Sequence, residues 1–111
     1  MNALIVITTL PDRAAAERLA ADLVAARLAA CVNILAPCRS VYRWQGKIEN
    51  AAEVPLLIKT TAARYAALQE AIRAAHPYEL PEIVAVPLAC GLPEYLGWIA
   101  AETDTPAESR C

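Results

Sequence analysis

The residues best equipped for chemistry fall in three short stretches. These are Trp44-Gln45-Gly46-Lys47, Lys59-Thr60, and His76-Pro77-Tyr78-Glu79. His76 and Glu79 pair a ring nitrogen with a carboxylate, a donor set that suits divalent copper, zinc or nickel, with copper favoured by the Irving–Williams order. Two ligands do not close a site, so further donors must come from water or a second chain. The competing role for His76 is structural, as a cap on the carbonyls of the helix that it ends. Lys59 either pairs with Glu79 or Glu82 or binds an anionic ligand. Trp44 and Tyr42, near a hairpin tip, either stack on a ligand or anchor a subunit interface. Tyr95 and Trp98 read as packing for a last helix.

Other chemistry is excluded or weakened by what is missing. A single histidine leaves a Ser-His-Asp arrangement only His76 to centre on. With three glycines there is no phosphate-cradling loop. The sequence lacks phenylalanine and strands interleaving aromatic with basic residues, which argues against RNA-type recognition and nucleic-acid partners. Ten basic residues against twelve acidic ones give a net charge of −2 with no basic patch. Enzymatic function is therefore not expected. Of the four cysteines, none forms a C-x-x-C pair; Cys31 and Cys90 read as buried small hydrophobes and Cys111 as an exposed thiol.

These residues need a scaffold. Residues 4–9 (LIVITT) form a continuous β-branched run, as in a strand buried on both faces. Thr9 and Asp12 have the spacing of a capping box ahead of an amphipathic helix over 13–28. Strands follow at 31–35 and 40–44, then a tight turn at Gln45-Gly46 and a long strand over 47–60. Pro55 within that strand calls for a bulge or an unpaired edge. A second helix spans 61–75 and ends at His76-Pro77. A last strand covers 83–88, a short helix 93–101, and residues 103–111 form a polar tail expected to be disordered. Residues 1–102 thus make one domain of order βαββαβ plus a terminal helix. This is an α+β, ferredoxin-like pattern with both main helices on one face of an antiparallel sheet.

At 111 residues and 58% hydrophobic, the chain is richer in apolar residues than one small core requires. No uncharged run exceeds eleven residues, against about 20 for a membrane span. No basic residue precedes the apolar N-terminus, so a secretory leader is not expected and the chain reads as cytoplasmic. The twenty-five alanines sit mostly in the helices. The remaining surplus lies in the long hairpin and on the uncovered sheet face, where a subunit interface is the economical explanation.

Five segments carry a family resemblance: 26–34 (ARLAACVNI), 40–49 (SVYRWQGKIE), 57–60 (LIKT), 76–83 (HPYELPEI) and 95–98 (YLGW). In these the chain resembles the CutA family of divalent-cation tolerance proteins. The resemblance implies a PII-like homotrimer of ferredoxin-like protomers, a cytoplasmic location, and a link to copper tolerance without catalysis. It further implies that Lys59, His76, Tyr78, Glu79, Trp44 and Tyr95 gather around an inter-subunit cleft. A cysteine in the first strand and a second histidine, proposed copper ligands in some members, are replaced here by Thr8 and Ala75. That leaves weak binding of a divalent cation at His76 with Glu79. The alternative is a PII-like sensor that holds a small anion near Lys59.

Overall fold

The structure is a computed structural model and describes residues 2–104. Its element order is β1 (Ala3–Leu10), α1 (Arg13–Ala25), β2 (Cys31–Ile34), β3 (Cys38–Trp44), β4 (Lys47–Thr61), a 3-10 turn (Ala62–Arg64), α2 (Tyr65–Ala75), β5 (Ile83–Pro87) and α3 (Pro93–Glu102). The strands form one mixed-length antiparallel sheet ordered β2-β4-β1-β5, and β3 continues along β4 beyond β2.

Strand alternation decides which face each residue serves. Val6 and Leu10 on β1, with Val54, Leu56 and Ile58 on β4, point to one face. There they meet Leu19 and Leu23 of α1 and Leu68 and Ile72 of α2 in the main core. The opposite face is covered at one end only, where Ile99 of α3 packs on Ala3 and Ala30. Along the rest of that face, Ile5 pairs with Val86 and Ile7 with Val84, and both valines are almost half exposed.

At about 3.4 Å per residue, the fifteen residues of β4 span the molecule's 50 Å length. Its outer half pairs with β3 as a protruding arm closed by Gln45 and Gly46, whose φ values of 50° and 80° are both left-handed. That combination matches the right-handed twist of a two-residue hairpin. Pro55 lies on an interior strand, not at an edge. Its carbonyl accepts the Leu35 N–H at 3.0 Å, while its missing N–H falls at the break between β2 and β3. Across that break, residues 35–37 face only Val54 and Pro55, so the bulge lies in the neighbouring chain segment.

Local details depart from the sequence reading at the helix ends. Asp12, not Thr9, caps α1, its carboxylate accepting the Ala15 N–H at 2.8 Å. Thr9 remains in β1. The helix stops at Ala25, earlier than 28, because Arg27 adopts a left-handed φ of 60°. From there its guanidinium reaches the end of α3, donating to the carbonyls of Ala101 at 2.7 Å and Asp104 at 3.0 Å. Thr103 is buried and its hydroxyl donates to the Ile99 carbonyl at 2.8 Å. Of the residues grouped with the polar tail, Thr103 is therefore packed and Asp104 is exposed but held by its backbone, while 105–111, with Cys111, lie outside the described residues.

Candidate functional site

The central feature is a hydrogen-bonded chain linking α2's exit to the sheet. His76 is the first extended residue after α2, turned out of the helix by Pro77. Its ring is buried, with Nε2 2.6 Å from the Thr9 carbonyl and Nδ1 accepting the Tyr78 N–H at 3.1 Å. A carbonyl only accepts, so Nε2 carries the proton and the ring is held as one neutral tautomer. Thr9 in turn donates its hydroxyl to the Glu53 carboxylate at 3.2 Å. The Tyr78 hydroxyl also hydrogen-bonds Glu53, closing the circuit, and its ring stacks at a tilt on His76 with centroids 4.7 Å apart. Burial first, and then that carboxylate, push the Tyr78 phenol up to about 12.

His76 holds the C-cap position of α2, but its ring bonds the Thr9 carbonyl and the Tyr78 N–H instead of the helix's own carbonyls, and as it stands it is not a free ligand. Both ring nitrogens are committed to backbone groups, and a metal needs one of those lone pairs. Its evident work is to fix Tyr78 over Glu53.

Above this chain lies a groove of about 820 Å³ between the β3–β4 arm and the segment after α2. Tyr42, Trp44 and Tyr78 supply its aromatic walls, and Glu53, Glu79 and Glu82 its acidic groups. Arg43 is its one basic lining residue. Three of the site residues singled out in the sequence (Trp44, Tyr78 and Glu79) therefore come together here, with His76 just beneath.

Lys59 and Tyr95 do not join them. Lys59 shares a sheet face with Glu53, but six residues along a strand is about 20 Å. Its ammonium donates to the Asn33 carboxamide oxygen and not to Glu79 or Glu82. Tyr95 hydrogen-bonds Cys31, the cross-strand neighbour of Lys59. Burial, followed by that thiol, raises the Tyr95 phenol, and its ring packs on Trp98 at 5.5 Å. The residues singled out in the sequence therefore fall in two separate clusters, one acidic and aromatic, the other centred on Lys59.

Sequence reasoning missed Glu53, Thr9, Cys31 and Asn33. Glu53 had a signal: of the two carboxylates on β4 it is the one on the inner part of the strand, diagonal to Thr9, which pairs with Pro55. Among the described residues no group of three or more His, Cys, Asp or Glu side chains could hold a metal ion. Thr8, at the place of a proposed cysteine ligand, points into the core on the other face of β1. Its buried hydroxyl has no hydrogen-bond partner among the described residues.

Fold and groove together define a small α+β protein with an open groove at one end of its sheet. Comparison with known proteins places that class. The family model described as CutA1 divalent ion tolerance protein matches residues 4–102. The divalent-cation tolerance protein CutA of Thermus thermophilus is 46% identical over 99 residues, covering 89% of this chain and 96% of that protein. The crystal structure of CutA from Xylella fastidiosa superimposes with a TM-score of 0.90 at 48% identity, covering 94% of this chain and all of the other. The Archaeoglobus fulgidus structure described as a periplasmic divalent cation tolerance protein CutA gives 0.89 at 38% identity, covering 92% and 99%. The chain belongs to the CutA family of divalent-cation tolerance proteins.

Proposed function

We propose that this chain is a non-enzymatic tolerance protein that assembles as a PII-like homotrimer of ferredoxin-like protomers and binds a divalent cation weakly in the clefts between subunits. The observation that carries this reading is the separation of the two clusters. Residues that the family resemblance gathers around one cleft lie about 20 Å apart on one protomer, so a second copy must bring Lys59 and Tyr95 to the groove of the first. The exposed valines of β5, with exposed Val41 and Ile48 on the arm, offer the surface for that assembly.

The donors on the groove side are the carboxylates of Glu79 and Glu82, with His76 below them. Ligation at His76 Nδ1 has to displace the Tyr78 N–H, which keeps affinity low. An imidazole with carboxylate oxygens favours copper among the divalent ions. Copper titration by calorimetry, comparing the wild type with His76→Ala and Glu79→Gln, tests the ligand set; three superimposable isotherms overturn it.

Lys59 supports the second reading, a sensor of a small anion. The residue is partly buried, and its ammonium forms no ion pair with a carboxylate among the described residues. Stabilisation of the metal-free protein by an organic anion, lost in Lys59→Gln, would favour that reading. A cytoplasmic location belongs to the same proposal, supported by free thiols at Cys31, Cys38 and Cys90. Cell fractionation tests it.

A further inference from the structure

We propose that Lys59 of each copy enters the groove of a neighbouring copy and pairs there with the carboxylate of Glu53. This rests on the reading of the protein as an assembly of copies and names the contact that fixes their register. The first ground is the anion. Glu53 is only 8% exposed, and its partners in its own chain are two neutral hydroxyls, those of Thr9 and Tyr78. No cation pairs with it among the described residues. Arg43, the one base lining the groove, stands opposite Ile48, five positions along β4 from Glu53. Covering the groove with another copy takes this carboxylate fully out of water, and a buried carboxylate without a cation is costly. The covering surface must therefore bring a positive charge.

The second ground is the cation. Lys59 lies on the same face of β4, and its ammonium is held by the neutral carboxamide of Asn33 with no carboxylate in contact among the described residues. The two charges cannot meet within one chain, since six positions of strand separate them by about 20 Å. The third ground is what lies beside and between them. Ile5, Ile7, Leu57, Val84 and Val86 share this face of the sheet. An acid at one end, a base at the other and an apolar band between make the face complementary to another copy of itself, each copy's base meeting its neighbour's acid. Glu79 and Glu82 are poorer partners for the ammonium. Both are exposed, and a hydrated carboxylate gains little from an ion pair.

The test is a charge exchange, read by light scattering and sedimentation of the full chain. Glu53→Lys and Lys59→Glu each set like charges against one another at the contact and are expected to lower the assembled mass toward that of one chain. The double exchange, Glu53→Lys with Lys59→Glu, is expected to restore it. Exchange keeps the local hydrogen bonds possible, because the Thr9 and Tyr78 hydroxyls and the Asn33 carboxamide both donate and accept. Where an exchanged chain loses its native circular dichroism, the uncharged replacements Glu53→Gln and Lys59→Met decide. Each is expected to raise the concentration at which the assembly forms roughly tenfold, the equivalent of one charged contact, and the two together no further. Single exchanges that leave the mass unaltered, a folded double exchange that does not restore it, or multiplying effects of the two uncharged replacements overturn the pair and leave the assembly in place. A loss with Lys59→Met that is matched by Glu79→Gln and not by Glu53→Gln gives the ammonium to another acid and overturns the pair as well. A wild type that stays a single chain removes the assembly reading, and the pair with it.

Discussion

The buried ring of His76 donates its Nε2–H to the carbonyl of Thr9 at 2.6 Å, tying the exit of α2 to the end of β1 across sixty-seven positions of sequence. Because Nδ1 accepts from Tyr78 at the same time, the ring acts as a bracket between two backbone segments. His76→Ala leaves a buried carbonyl and an amide without partners and is expected to cost about 2–4 kcal/mol. Thermal or urea unfolding measures the loss. The same variant frees Tyr78 from Glu53, so its phenol should ionise closer to 10.

Tyr78 also gives the protein an alkaline limit. Its phenol ionises near 12 in the folded state and near 10 in the unfolded chain. Between those values the unfolded state has lost the proton that the folded state still holds, so stability is full below pH 10 and falls as pH rises toward 12. Unfolding measured from pH 9 to 12 should show that decline, and Tyr78→Phe should flatten it. An unchanged slope in the variant would assign the decline to other groups.

Thr8 is a place where the protein tolerates a local penalty. Its hydroxyl is wholly buried with no partner among the described residues, beside its cross-strand neighbour Leu56 of β4. Thr8→Val replaces that hydroxyl with a methyl group of nearly the same volume. The expected result is stability unchanged or raised by about 1 kcal/mol. Destabilisation by a similar amount would show that the hydroxyl has a bonded partner, such as a buried water.

The uncovered sheet face is the surface assigned to subunit contact. Val86 is 47% exposed in the protomer, opposite Ile5, so a charge there leaves the main core on the other face untouched. Val86→Asp should dissociate the assembly while circular dichroism stays native. Light scattering on both proteins decides it, and an unaltered mass would move the interface elsewhere.

Much of this fold is legible in the sequence because its signals are local. The β-branched run ending at Thr9, the amphipathic spacing of Leu19 and Leu23, and the Pro77 stop after α2 each act within a few residues. The turn at Gly46 was equally readable. Helix ends were less so: Asp12 replaces Thr9 as the cap because pairing with Pro55 keeps Thr9 in the strand. Pro55 read equally as a bulge or an edge residue because its neighbours across the sheet cannot be known before the register is set.

The candidate site divides along the same line. Residue types marked Trp44, Lys59, His76, Tyr78 and Glu79 as the chemically capable groups, and the family resemblance added Tyr95 to them. Only the folded sheet decided that they fall in two clusters instead of one. Strand geometry puts Lys59 about 20 Å from Glu53. The crossing of β1 and α2's exit consumes both nitrogens of His76, and pairing of β1 with β4 brings Glu53 to Thr9. Those are long-range consequences of register and topology, which the spacing of residues along the chain does not contain.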